Sequence, residues 1–70
     1  MSKYVVIYEQ AEDGGWGAYL PDFPGVVAIG ESRDVVEERI QVAVSAYVED
    51  LRDRGGTLPP PQHDAGVVAA

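Results

Sequence analysis

The histidine and serine residues are the side chains in this sequence with which covalent catalysis would normally begin. His63 is the one histidine, and its place in a proline-rich segment beside Asp64 is typical of a solvated loop residue. Ser32 and Ser45 could act as nucleophiles only beside a general base, and the sequence contains no histidine other than His63 to serve as one. Ser32 is better interpreted as a helix cap. We therefore predict no catalytic residue and expect that the chain is not an enzyme.

Carboxylates are the next group that could do chemistry, because clustered carboxylates bind divalent metal ions. Glu37 and Glu38 are adjacent on a predicted helix, so they cannot point at the same ion. Asp22 and Glu31 flank a predicted strand and could meet at one ion. Metal-dependent cleavage of nucleic acid through Asp22 is nevertheless the least favoured hypothesis for the function of the chain. The glycines of the segment DGGWGAY lack the spacing of a phosphate-binding loop. We expect no metal and no cofactor.

The charge distribution disfavours one class of partner and favours another. The chain has 12 acidic and 5 basic residues, which gives a formal net charge of −7. Such a surface repels phosphate backbones and favours a basic protein partner, although net charge also serves solubility. We therefore expect no direct contact with nucleic acid. The chain lacks cysteine, and its start resembles neither a signal peptide nor a membrane span, so we predict a cytoplasmic location and no membrane contact.

Three strands are predicted from runs of β-branched and aromatic residues, at about residues 3–9, 16–20 and 26–30. Asp13-Gly14 predicts a tight primed turn between the first two strands. Pro24-Gly25 predicts a type II turn before the third, because proline fixes one φ angle and glycine accepts a positive one. Strands joined in this order form an antiparallel meander.

After the third strand the apolar period changes to that of a helix over residues 33–54. Its apolar stripe consists of Val36, Ile40, Ala43, Tyr47 and Leu51. Ser32 is the expected N-cap and Gly55 the expected C′ residue. The sequence thus predicts a single α+β domain over residues 1–70, with one long amphipathic helix on one face of the sheet. Residues 66–69 could add a short fourth strand or form a frayed end.

The predicted strands are apolar on both faces, whereas a single helix covers only one. In the first strand Val5 and Ile7 alternate with Tyr4, Val6 and Tyr8. Leaving an apolar face of several hundred Å² in water forfeits several kcal/mol of burial free energy. We therefore predict that a second polypeptide covers this face, and that Tyr4, Val6 and Tyr8 mediate self-association as a dimer or tetramer.

The order of motifs resembles that of the HicB-like antitoxin family. The family signature is a Gly-Gly-aromatic turn, a Pro-Asp-hydrophobic-Pro-Gly corner, a glycine before a Ser/Thr helix cap, and a glycine- and proline-containing exit. The matching positions are Gly14, Gly15 and Trp16; Pro21, Asp22, Phe23, Pro24 and Gly25; Gly30 and Ser32; and Gly55, Pro59 and Pro61. The resemblance implies a degenerate ribonuclease-H-like fold, β-β-β-α-β, without the catalytic acidic set.

The resemblance also implies a function, which is to bind a small, basic ribonuclease toxin of the HicA type and occlude its active site. Many family members carry a C-terminal DNA-binding domain. This chain stops at Ala70, so we expect no direct operator binding. Family members often have a glutamate early in the first helical turn, whereas the third residue after Ser32 is Val35, so the capping box is incomplete.

The corner PDFPG, residues 21–25, has two compatible interpretations. In one, it only turns the chain, and Phe23 fills the end of the core. In the other, the stiff loop presents Asp22 and Phe23 to a partner at little ordering entropy. The predicted partner-binding residues are Glu12, Trp16, Tyr19, Asp22, Phe23 and Pro24. The alternative function is a stand-alone oligomeric scaffold that has no toxin partner.

Overall fold

A computed structural model describes residues 3–70 and confirms the α+β architecture. The strands are β1 (Ile7–Gln10), β2 (Trp16–Tyr19) and β3 (Val27–Gly30), and the helix is α1 (Arg33–Asp53). The sheet is antiparallel with the order β1-β2-β3, so β2 is central. Helix α1 packs across β2 and β3.

Strand β1 is shorter than predicted because its partner strand stops early. Ile7 pairs with Tyr19 at the end of the ladder. Continuing this register would place Val5 opposite Pro21, which has no N–H to donate and already belongs to the corner. Residues 3–6 therefore lie outside the ladder, although the sequence alone predicts a strand there.

The hairpin between β1 and β2 differs from the predicted two-residue turn. Ala11 accepts a hydrogen bond from the Gly14 N–H at 3.0 Å and donates its own N–H to Gly15 at 2.8 Å. Glu12, Asp13 and Gly14 thus form a three-residue connection, and Gly14 has a φ of 92°. Glycine is required at this point as predicted, but at the end of a longer loop.

The corner consists of two consecutive turns. The Phe23 N–H donates to the Leu20 carbonyl at 3.1 Å, and the Val26 N–H donates to the Phe23 carbonyl at 3.2 Å. Gly25 has a φ of 88°, which is the positive value that a type II turn requires after Pro24. The predicted turn is therefore present.

Helix α1 begins and ends within one residue of the prediction. The Ser32 hydroxyl accepts a hydrogen bond from the Val35 N–H at 3.2 Å, as an N-cap does. At the other end, Gly55 has a φ of 73°, and the Gly56 N–H donates to the Leu51 carbonyl at 2.9 Å. This is the hydrogen-bond pattern of a Schellman cap.

The core lies between the sheet, the corner and α1. Its buried apolar residues are Ala18, Leu20, Phe23, Val26, Val36 and Ile40. The Phe23 ring is central: its centroid lies 4.5 Å from that of Tyr4 and 5.0 Å from that of Tyr47. The corner, the segment that precedes β1 and the helix thus share one aromatic cluster.

The chain beyond the helix contains no strand in the described structure. Residues 66–69, for which a fourth strand and a frayed end were both open, pair with no strand. Val67 and Val68 are almost fully exposed there. Within residues 3–70, no helix has both the length and the apolar character that crossing a membrane would require.

Candidate protein-binding surface

One face of the sheet is apolar and uncovered. The row Tyr8, Ala18 and Ala28 lies on the helix side, because Ala18 is buried and the other two pack against the core. Side chains alternate along strands, so the neighbouring rows lie on the opposite side. Those rows are Ile7–Tyr19–Val27 and Glu9–Gly17–Ile29.

We call the apolar residues of these two rows, namely Ile7, Tyr19, Val27 and Ile29, the open face. Tyr19, Val27 and Ile29 are 40%, 63% and 75% exposed. Scattered apolar residues on a surface need no explanation, but three neighbouring ones on paired strands form a patch of the kind that protein interfaces use. The predicted uncovered face is therefore present.

The structure corrects which residues lie on that face. Tyr4, Val6 and Tyr8, predicted to mediate self-association, pack against the core instead, and together with Ile40 and Val44 of α1 they line a depression between β1 and the helix. The sequence period correctly separates the two sets of side chains. It does not show which set the helix covers.

The structure also corrects the predicted role of the corner. Phe23 is 1% exposed and Asp22 is buried, so neither is presented to a partner. The interpretation in which Phe23 fills the end of the core is the observed one. Pro24 is exposed on the second turn.

The other predicted contact residues lie in three different places. Tyr19 belongs to the open face. Trp16 is half-buried and packs against the core from the helix side. Glu12 is exposed in the hairpin connection. Only Tyr19 thus lies on the open face itself.

Asp22 fixes the C-terminal segment to the corner. Its Oδ1 atom accepts a hydrogen bond from the Gln62 N–H at 3.1 Å and lies 2.8 Å from His63 Nδ1. The Tyr4 hydroxyl donates to the Pro59 carbonyl at 2.6 Å. Residues 59–63, which we call the terminal segment, are thus held at both ends.

The pKa of Asp22 is lowered from its ordinary value, chiefly by the hydrogen bond from His63. The cost of burying the carboxylate acts in the opposite direction but is smaller than the hydrogen bonds combined. The second oxygen, Oδ2, is buried and has no hydrogen-bond partner within residues 3–70. His63 is exposed on a loop, as its sequence context predicts, and it is also a hydrogen-bond partner of the buried Asp22.

Carboxylates surround the end of the open face near the hairpin. Glu9, Glu12 and Asp13 are all exposed. Arg39 of α1 lies nearby, but its Nη1 donates to the Ile29 carbonyl at 2.8 Å. Among residues 3–70, no group of three or more His, Asp or Glu side chains is arranged to hold a metal ion. The surface is thus apolar at its centre and acidic at one end, which suits protein binding.

The fold and this surface define a small α+β domain with an uncovered apolar face on its sheet. Residues 4–70 match the family model described as the HicB-like antitoxin of bacterial toxin–antitoxin systems. The chain therefore belongs to the HicB-like antitoxin family.

Two further comparisons identify a relative in sequence and a solved structure with the same fold. The chain is 32% identical over 57 residues to the UPF0150 protein Ta0767 of Thermoplasma acidophilum, covering 81% of this chain and 83% of that protein. The crystal structure of the N-terminal domain of Burkholderia pseudomallei antitoxin HicB superimposes with a TM-score of 0.67 at 23% identity. The match covers 93% of this chain and 68% of that one, and it shows that the fold is shared.

Proposed function

We propose that this chain neutralises a small, basic, HicA-like ribonuclease toxin that cleaves mRNA, by covering the active site of the toxin. The observation that carries the proposal is the open face, an apolar surface on a member of an antitoxin family. Its action would be that of a binding protein and not of an enzyme. Its place of action would be the cytoplasm, where mRNA is.

The physical basis of the proposed binding is burial of apolar surface. Each Å² of apolar surface removed from water is worth about 25 cal/mol. Tyr19, Val27 and Ile29 are adjacent and largely exposed, so a partner that covers them gains most of this free energy at the centre of the contact. The exposed carboxylates beside the open face would form the polar rim of the interface.

Charge supports the choice of a basic partner. The chain carries a formal net charge of −7, and Glu9, Glu12 and Asp13 are exposed beside the open face. Opposite net charges accelerate encounter and disfavour wrong partners more than they raise affinity. The same charge disfavours direct binding to an operator or to RNA, so we propose no nucleic-acid contact by this chain itself.

The experiment is co-purification with a basic protein encoded in the adjacent reading frame, followed by an RNA-cleavage assay. Ile29→Lys introduces a charge into the open face and should abolish both co-purification and inhibition of cleavage. Val42→Lys is the matched control, because Val42 is also an exposed apolar residue but lies on α1. If both variants bind and inhibit like the unaltered chain, the open face is not the toxin-binding surface.

The second candidate is a stand-alone scaffold that uses the open face only to pair with itself. The exposure of Val27 and Ile29 favours it, because a second copy would cover them equally well. A homo-oligomer, either a dimer or a tetramer, is also compatible with toxin binding. Sedimentation of the chain alone and with the co-expressed protein separates the two: a tight oligomer that binds nothing else supports the scaffold.

A further inference from the structure

The central strand has a notch on the open side of the sheet. Gly17 lies between Glu9 on β1 and Ile29 on β3 in the paired register. A Cβ atom at Gly17 would lie 3.6 Å from the Ala28 carbonyl oxygen and 3.8 Å from Ile29 Cγ2, which is ordinary contact. Gly17 is not among the glycines with positive φ. Neither crowding nor backbone conformation therefore requires glycine at this position.

The two sides of the notch differ in chemistry. Ile29 is 75% exposed and provides an aliphatic wall. Glu9 is exposed on the opposite strand and provides a carboxylate. Both residues, with Gly17 and Asp13, belong to the lining of a cleft of about 530 Å³ at the hairpin end of the sheet, which extends past the notch to Trp16 and Gly30 of the next row. An aliphatic wall opposite a carboxylate matches a side chain that has an alkyl stem and a cationic head.

The charged residues of the cleft leave the acidic side available. Arg39 also lines it and keeps its positive charge, but its guanidinium donates to the Ile29 carbonyl at 2.8 Å, which holds it on the β3 side of the cleft while Glu9 lies on β1. Asp13 Oδ1 accepts from the Gly15 N–H at 2.9 Å, which holds that carboxylate near the hairpin. No contact within residues 3–70 occupies the carboxylate of Glu9.

We propose that this notch receives an arginine side chain of the protein partner. The stem lies over Gly17 against Ile29, and the guanidinium pairs with the Glu9 carboxylate. A planar guanidinium can donate two parallel hydrogen bonds to a carboxylate, which the ammonium group of lysine cannot do. The inference rests on the proposed function, since it names the chemistry by which the same face recognises a basic toxin. A second copy of this acidic chain is the less suitable occupant, because like charges would meet.

The test is an NMR titration of the isotope-labelled full chain with the blocked peptide acetyl-Gly-Arg-Gly-amide. The control peptide contains citrulline, which has nearly the same shape without the charge. We expect the arginine peptide to shift the amide signals of Glu9, Gly17 and Ile29. The citrulline peptide should bind about three- to five-fold more weakly, because it lacks the contribution of one exposed ion pair. Shifts elsewhere, equal binding of both peptides, or no shift at all would each overturn the proposal.

Two variants locate the binding. Glu9→Gln removes the charge, and Gly17→Val fills the notch. Each substitution should lower the affinity of the chain for the arginine peptide about three- to five-fold. Unfolding by urea checks that both remain folded, and Gly17→Val should be at least as stable because valine favours strands. If Ile29→Lys abolishes toxin binding while Glu9→Gln and Gly17→Val leave it unchanged, the notch proposal fails and the toxin-binding function survives. Failure of the proposed function would instead show as toxin binding that is indifferent to Ile29→Lys.

Discussion

Asp22 and His63 are 41 residues apart in the sequence, yet His63 Nδ1 lies 2.8 Å from the Asp22 Oδ1 atom. The contact closes the terminal segment over the corner that joins β2 to β3. It also gives the buried carboxylate, whose side chain is 3% exposed, a second donor beside the Gln62 N–H. Of the two interpretations that the sequence allows for the corner, the structural one therefore applies: the corner is part of the framework of the domain.

The Asp22–His63 contact predicts how the terminal segment responds to pH. The folded state holds the pKa of Asp22 below its ordinary value, with the His63 hydrogen bond as the largest cause. Asp22 therefore stabilises the fold above its unfolded pKa, and this contribution is lost as the pH falls through the lower folded pKa. The terminal segment should therefore stay in place as the pH falls to the ordinary pKa of an aspartate, about 3.9, and be released only on further acidification.

Carboxyl ¹³C titration by NMR measures this directly. His63→Ala should raise the pKa of Asp22 towards its ordinary value, and Asp22→Asn should remove the acid-dependent release of the segment. An Asp22 titration that is the same in the unaltered chain and in His63→Ala would contradict the role given to His63.

The burial of Phe23 predicts a loss of stability, not a selective loss of binding. The ring is 1% exposed and lies between those of Tyr4 and Tyr47. Phe23→Ala should reduce the free energy of unfolding by about 3–5 kcal/mol, as truncation of a buried aromatic ring generally does. Urea unfolding followed by tyrosine and tryptophan fluorescence measures the change. A loss below about 1 kcal/mol, together with weakened toxin binding, would restore Phe23 as a contact residue.

Two glycines in adjacent strands should respond oppositely to the same substitution. A Cβ at Gly30 would lie 2.9 Å from Val35 Cγ1 and 3.2 Å from Val36 Cγ2, where β3 approaches the helix. Gly30→Ala should therefore destabilise the domain by about 1–3 kcal/mol through overpacking. Gly17→Ala is the matched control, since its Cβ has space, and it should be neutral or slightly stabilising. Equal melting temperatures for the two variants would show that the helix does not press on Gly30.

Charge beside the open face should control the rate of toxin association. Glu9→Lys combined with Glu12→Lys raises the net charge by four units next to the binding surface. Association should slow by about ten-fold at low salt, and its salt dependence should flatten, because electrostatic steering depends on charges near the contact. Stopped-flow or surface-based kinetics at several salt concentrations measure it. The control, Glu49→Lys with Asp50→Lys, makes the same change near the end of α1 and should affect the rate less.

Much of the fold is predictable because it depends on local patterns. The change of apolar period after Gly30, the Ser32 cap and Gly55 place the helix within one residue of its observed ends. Pro24 and Gly25 specify a turn that needs no distant contact. The apolar character of both sheet faces follows from simple alternation, and so does the expectation of an uncovered face.

The remainder depends on distant contacts that local patterns do not contain. Tyr4, Val6 and Tyr8 are as apolar as the set on the other face of the strand, so periodicity alone cannot show which set meets the helix. The pairing of Asp22 with His63 depends on where a proline-rich segment returns after the helix. One signal is present in the sequence: a carboxylate in a rigid corner, followed by one histidine far along the chain. Nothing local connects the two.

The central claim is that the open face is the surface at which this domain meets a protein partner. Methyl NMR of the labelled chain, free and saturated with the co-purified toxin, tests it most directly. We predict that the methyl signals of Ile7, Val27 and Ile29 change strongly in the complex, while that of Val42 on the helix stays as it is in the free chain. Strong changes at Val42 with none at Val27 or Ile29 would contradict the account.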